Sequence, residues 1–411
     1  MTLPGSPSPR RWLVLLVFML VAGLSQALWL NFAPLLPTIQ ASYGVDEATA
    51  GLLMLVFPLL YVFLSIPAGV LTDRKGYPFA VSLSAVVMAV SAAFRIVAMP
   101  DSGGFWLLVA AQTGMAVAQP FAVNGISKLV LDWFAPDEVV SATGLGTAGM
   151  FIGMAAGLAA TPPMVEAWGM QGTMVAWTAI SATIAALSLT LIRTNPAVTT
   201  PPPPEAGVLE NLRPLLTSRP LLLLFGITFL GLGYFNGLTA WIDLILKPNG
   251  IDEVHAGYIG GVLIVGGIVG AALIPLLAEK TGRRRPFIVL SVFAALLTLW
   301  PMSHSHDFTT VMVTSGLQGF FFLPAFALLL DVGSALAGQA LAGAATGLLM
   351  LAGNGGGVVV MIVMVTMAQS AGNWEGAVIL LILCLLGAAV GAALLPETGA
   401  VAQTTVKSTT G

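Results

Sequence analysis

The chain has 411 residues, 57% of them hydrophobic and 8% charged, with a net charge of −3 at neutral pH. Soluble proteins carry roughly a quarter charged residues, so this chain cannot cover its own surface in water and lipid must be part of its solvent. No basic stripe with interleaved aromatics points to nucleic acid, and the single Cys384 lies in an apolar run, which leaves no disulfide framework or thiolate metal site.

A hydrocarbon core takes about 20 apolar residues per helix. On that length the sequence predicts spans at 12–35, 48–71, 79–99, 105–131, 140–163 and 169–192, and then at 220–246, 256–278, 286–302, 309–332, 341–368 and 374–395. Arg10 and Arg11 stand before the first span in the manner of a signal peptide or twin-arginine signal. The apolar run from Trp12 outlasts a signal core of roughly 7–15 residues, so it is read as a retained span. Between the sixth and seventh spans lie Pro201, Pro202, Pro203 and Pro204, followed by Glu205, Glu210, Arg213 and Arg219. Consecutive prolines form a stiff, extended spacer. The expected fold class is therefore an all-α membrane protein of twelve transmembrane helices in two six-helix bundles, 1–194 and 220–411, joined by a linker at 195–219.

Lysine and arginine give the orientation. Arg10, Arg11, Arg74, Lys75, Lys128, Arg193, Arg213, Arg219, Lys280, Arg283, Arg284, Arg285 and Lys407 fall at one set of span ends, which holds 13 of the 15 basic residues. Lys247 falls at the other, and Arg95 near or within a span. The positive-inside rule then places both termini and the linker in the cytoplasm of a cell membrane.

The two halves resemble each other weakly. Gly69-Val-Leu-Thr-Asp73-Arg74-Lys75-Gly76 follows the second span and Leu276-Leu-Ala-Glu279-Lys280-Thr-Gly282-Arg283 the eighth, with acidic, basic and glycine positions at one constant offset. Ser141-Ala-Thr-Gly144 and Ala344-Ala-Thr-Gly347 open the fifth and eleventh spans alike. Such repeats place a transporter's binding site between the halves, near the membrane midplane.

The stretch Gly69 to Gly76 resembles the loop signature of the major facilitator superfamily. A narrower resemblance is carried by Trp29-Leu-Asn31-Phe, Tyr43-Gly-Val, Gln119, Trp133-Phe-Ala-Pro136-Asp137-Glu138, Tyr234-Phe235 and Glu253-Val-His-Ala-Gly257-Tyr-Ile-Gly260. These look like the feline leukaemia virus subgroup C receptor-related transporters, a family associated with choline and ethanolamine and historically with haem. The resemblance implies site residues at Trp29, Gln119, Tyr234 and Asn354; at the last, the family's pattern leads one to expect a longer Gln.

Facing aromatics such as Trp29 and Tyr234 can hold a quaternary ammonium by cation–π attraction, about 0.5–2 kcal/mol per ring, although Trp and Tyr also populate interfacial belts. Asn31 and Asn236 beside them favour a cavity, because amides are costly against lipid. Gln119 and Asn354 can bond a solute or tie helices together, and Asn124 and Gln318 are expected to be structural or secondary. Asp73, Arg74 and Gly76 are expected to latch the two halves, which the superfamily resemblance supports; the plainer reading is a topological anchor. Arg95, Asp243 and Asp331 are candidates for charge coupling: Arg95 as a counter-charge in the first half, Asp243 as a lure for cations or a helix-end marker, Asp331 at the cytoplasmic end of its span. The Gly-rich stretches 144–157 and 353–357 are expected to make close helix contacts, the second also loosening its helix. His255, His304 and His306 are expected to be solvated rather than metal ligands.

The sequence thus points to a transporter for a small organic solute by alternating access, uniport or secondary active, with choline or a related amine favoured. Another metabolite or drug-like compound carried by proton-coupled exchange is the alternative, and a non-transporting receptor stands behind both. An enzyme is not expected, because no nucleophile with a base and no metal cluster falls within the spans. No cofactor is expected, and the partners are the solute and the bilayer, with the chain acting as a monomer.

Overall fold

The computed structural model describes residues 10–98, 100, 104–135, 138–195, 213–338 and 341–397. The prolines at 201–204, with Glu205 and Glu210, lie outside them, as do Pro136, Asp137 and Lys407. Of the expected linker, Asn195 and a short helix, Arg213–Thr217, are described.

Eleven described helices are long and apolar enough to cross a bilayer. One of them, Val139–Leu191, has 53 residues. At about 1.5 Å per residue it is far too long for one crossing of about 30 Å. Gly169, with φ 69° and ψ 172°, breaks it into two. The sequence reading expected a short loop at 164–168; the chain instead stays helical and reverses at this single glycine, which has no Cβ to oppose a positive φ. The spans are therefore α1 Arg10–Leu30, α2 Glu47–Lys75, α3 Tyr77–Val97, α4 Gly104–Val123, α5 139–168, α6 170–191, α7 Arg219–Ala240, α8 Glu253–Thr281, α9 Arg285–His304, α10 Phe308–Ala337, α11 Ala342–Ala371 and α12 Glu375–Leu394.

The sequence repeat reappears as geometry. α2 and α8 are both 29 residues long. Each starts at an aspartate cap, Asp46 accepting from the Thr49 N–H at 2.9 Å and Asp252 from the His255 N–H at 2.8 Å. Such a carboxylate satisfies an orphan donor and meets the positive end of the helix dipole. Each helix ends at a glycine of positive φ, Gly76 and Gly282. The same offset thus relates both caps, the acidic residues and both stops.

The first helix of each half is broken. α1 ends at Leu30, and Pro34 and Pro37 redirect the chain through a 3₁₀ turn, Ala33–Leu35, into the short helix Leu36–Tyr43. α7 ends at Ala240, and the chain restarts after Trp241 as Ile242–Leu246. Both predicted spans, 12–35 and 220–246, ran through these breaks.

Within each half, small residues let backbones touch, because association in lipid rests on close packing. A Cβ on Gly153 of α5 would lie 1.9 Å from the Gly23 carbonyl oxygen of α1, and one on Gly356 of α11 would lie 1.9 Å from that of Phe229 in α7. Both Gly-rich stretches are contact surfaces, and α11 runs through 353–357 as unbroken helix.

The halves join at one end. Leu158 of α5 meets Gly257 of α8, the Thr38 N–H and hydroxyl donate to Glu253, and the Gln369 amide donates to Asp46 at 3.0 Å. The Trp241 ring lies over Gly51 of α2, where a Cβ would be 2.0 Å from it. Around this far end, residues 21–36 and 233–246, which run from α1 and α7 through the breaks that follow them, are buried on all sides. Toward the other end, which carries the basic residues, both helices show bare faces at Leu13, Leu16 and Leu20 and at Leu222 and Gly226. The seam is shut at the far end and parted at the basic end. Gly153→Val should destabilise the fold by at least the ~1–3 kcal/mol of an overpacked core, read as a lowered Tm in detergent. Gly343→Val, where nothing lies within 4 Å of a new Cβ, should leave Tm unchanged.

Candidate functional site

A helix that stops inside a membrane leaves carbonyls without partners, and these must be satisfied by protein. At the end of α1 the Leu28 carbonyl accepts from the Arg95 guanidinium at 3.1 Å and from the Gln112 amide at 3.5 Å. Gln112 also donates to the Leu53 carbonyl of α2 at 3.0 Å. In α2, Pro58 has no N–H to give the Met54 carbonyl four residues earlier; the Trp29 indole N–H takes that carbonyl at 3.1 Å. Trp29 is thereby fixed between α1 and α2, with its ring 6.4 Å from Phe57.

Arg95 is 1% exposed. Its guanidinium lies 4.7 Å from the Phe32 ring centroid, and Nε and Nη1 have no protein partner. Its charge is balanced by the negative end of the α1 dipole and by the Phe32 face rather than by a carboxylate. Sequence reasoning passed over Gln112. The available signal was a second amide on the Gln119 face of α4, since seven residues make close to two helical turns.

Gln119 is buried, at 5% exposure, and makes no side-chain hydrogen bond among the described residues. Asn31 is fully buried, and both polar atoms of its amide lack partners. In the other half, Tyr234 is fully buried, its hydroxyl accepts from the Gln318 amide, and Gln318 in turn accepts from Thr298. The Tyr234 ring packs on Phe322 at 5.0 Å. Asn236 fits against Gly357, where a Cβ would be 2.2 Å from its amide nitrogen. Asn354 is half-buried and donates to the Met350 carbonyl at 2.9 Å. Asn124, just past the end of α4, donates to the Ser65 carbonyl of α2 at 2.9 Å. The structure therefore gathers Trp29 and Gln112 into one hydrogen-bonded cluster in the first half. It sets Tyr234, Gln318 and Phe322 into another in the second, with no ring contact between Trp29 and Tyr234.

At the basic end Asp73 pairs with Lys128 of its own half at 2.8 Å, Arg74 is exposed, and Gly76 turns the chain from α2 into α3 with φ 85°. Asp331 pairs with Arg284 of its own half. Asp243 is 1% exposed, just past the α7 break, and its Oδ2 has no protein partner. His255 pairs with Asp252 at 2.7 Å. No three metal-ligating side chains gather among the described residues.

Two similar six-span bundles, sealed at one end of their seam and parted at the other, make this a polytopic membrane protein of paired-bundle architecture. The sequence profile of the Major Facilitator Superfamily matches residues 15–361. The chain belongs to the Major Facilitator Superfamily. It is 24% identical over 400 residues to the choline/ethanolamine transporter flvcr2a of Danio rerio, covering 92% of this chain and 85% of that one. It is 27% identical over 338 residues to an uncharacterized MFS-type transporter of Caenorhabditis elegans, covering 76% of this chain and 56% of that one. A bacterial homolog of the human lysosomal transporter Spinster has the same fold, with a TM-score of 0.73 over 94% of this chain and 96% of that one at 16% identity. The narrower resemblance read from Trp29, Gln119 and Tyr234 thus has its counterpart among named choline/ethanolamine transporters, and neither family nor relatives are enzymes. The chain spans little more than half the length of the nematode relative.

Arg95→Met should leave the Leu28 carbonyl without its charged donor. Unfolding in detergent should show a loss of about 1–3 kcal/mol, the cost of a buried group left unsatisfied.

Proposed function

We propose that the protein carries choline or a related small amine across a cell membrane by alternating access, as a monomer. The basic end and both termini face the cytoplasm on this reading, supported by the 13 of 15 basic residues on that side. Bundles 1–194 and 220–411 rock about the seam, with 195–219 as the tether. Because the seam is shut at the far end, the state described above faces inward.

The observation that carries the reading is that Trp29 and Gln119 are both buried in the first bundle, at 5% exposure each. Trp29 is anchored through its N–H, which leaves the ring to meet a cation, and Gln119 keeps an unpaired amide for a hydroxyl or amine. A desolvated ammonium gains about 0.5–2 kcal/mol from such a ring. On this reading Asn354, Tyr234, Asn236 and Asn31 complete the site as the bundles move. Asp73, Arg74 and Gly76 form the inner latch: with the cytoplasmic side open, Asp73 is held by Lys128 within its own half. The choline/ethanolamine relative of Danio rerio, which aligns along nearly the whole chain, supports the same cargo.

Purified protein should show a thermal shift and saturable binding with choline or ethanolamine. Trp29→Ala should weaken that binding about 2–30-fold, the range given by one ring. Absence of binding removes the cargo, and full binding by the variant removes the site.

A further inference from the structure

The far-end seal contains a carboxyl group that the transport reading does not use. Asp243 lies in Ile242–Leu246, the segment that resumes the chain after the α7 break. It is 1% exposed and its Oδ2 meets no donor. From α8 it is faced by Glu253 and Asp252, and from the end of its own segment by Lys247. The turn 33–35 and the helix 36–43 pack on this segment and bring no charge, only Thr38 and the neutral Gln40 and Tyr43. The end of α9, also packed there, brings His304, which stacks on Trp300 at 3.8 Å. Across the seam, Glu47 lies within electrostatic reach of Lys247. Glu253 is itself the latch, with its carboxylate receiving the Thr38 N–H at 2.9 Å and the Thr38 hydroxyl at 2.7 Å. Closing the seal therefore encloses Asp243 beside a carboxylate already committed to the partner half, without giving its Oδ2 a donor of its own.

A carboxylate in that place has lost its water, faces two further acids and has one lysine to offset them. Ionised, it opposes closure; neutral, it does not.

We propose that Asp243 is a proton-binding site tied to the far-end seal: its carboxyl is protonated when the seal is closed and ionised when the seal opens to the outside. The proposal rests on the alternating-access reading and on the far end being external. Burial first, and then the Glu253 charge, push the Asp243 carboxyl up to about 8 in the closed state, with Lys247 pulling the other way. In the open state it meets water and returns toward an ordinary carboxylate value of about 4. The raised value belongs to the closed state, so closure is fully favoured below the open-state value and loses ground as pH rises toward the closed-state one. Across that window the closed state holds one proton more than the open state. The ratio of closed to open falls by up to tenfold per pH unit, and above about pH 8 it levels off.

Spin labels at Ser42→Cys and Ser370→Cys, both exposed at the far end on opposite halves, report closure as a short inter-label distance. The full chain is used in lipid nanodiscs in a Cys384→Ala background. With no solute added, the short-distance population should be large at pH 5 and should shrink toward pH 9. Asp243→Asn should hold that population constant across the range. Lys247→Gln, at an exposed position, should move the upper end of the transition to more alkaline pH. A flat response in the parent overturns the proposal. So does an unaltered response in Asp243→Asn, or a Lys247→Gln transition that stays in place or moves acid-ward. Because no solute is present, failure here leaves the choline reading standing, and failure of choline binding leaves this pH response standing.

Discussion

Inside a bilayer no water rescues a carbonyl that has lost its helical partner, and the structure is organised around the carbonyls that have. The Leu28 carbonyl, at the end of α1, draws in Arg95 and Gln112. The Met54 carbonyl, freed by Pro58, draws in the Trp29 indole. These bonds join α1, α2, α3 and α4 at one place and fix the Trp29 ring there. The Leu158 carbonyl, freed in the same way by Pro162, faces Gly257 across the seam. Prolines that would weaken a soluble helix thus create acceptors: one is taken by the Trp29 indole at the candidate site, and another lies at the inter-half contact.

The second element is contrast between the two ends of the seam. Within a half, glycines bring backbones into contact over long stretches, so each bundle packs as a unit. Between halves the far end is joined by polar bonds, Thr38 with Glu253 and Asp46 with Gln369, and by close apolar contacts, Leu158 and Ala159 on Gly257, Gly260 and Gly261 and the Trp241 ring over Gly51. At the basic end the ion pairs of Asp73 with Lys128 and of Asp331 with Arg284 stay inside their own halves. That arrangement belongs to a protein in which one end of the seam is shut while the other is parted.

Much of this was legible in the sequence. Apolar run length gave the spans, and the offset from Asp73 to Glu279 gave the repeat, which the caps Asp46 and Asp252 and the stops Gly76 and Gly282 extend. Three features were not legible. The reversal at Gly169 looks like any glycine near a span end until its φ is known. Hydropathy windows cannot detect the breaks after Leu30 and at Trp241, because the short helices beyond them are also apolar. Side-chain direction was also hidden. Tyr234 and Trp29 occupy similar places in their halves, yet Tyr234 turns to Gln318 in its own bundle while Trp29 reaches a carbonyl of α2. Which acceptor lies in reach is a property of packing, and one strand of sequence does not carry it.

The central claim is that solute crosses only if the far-end seal breaks and re-forms. Thr38→Cys combined with Glu253→Cys in a Cys384→Ala background places a removable bond across that seal. Uptake of labelled choline into proteoliposomes is measured after oxidation and again after reduction. The account predicts uptake blocked in the oxidised protein and restored by reduction. Equal uptake in both forms, or none in the reduced form, contradicts it.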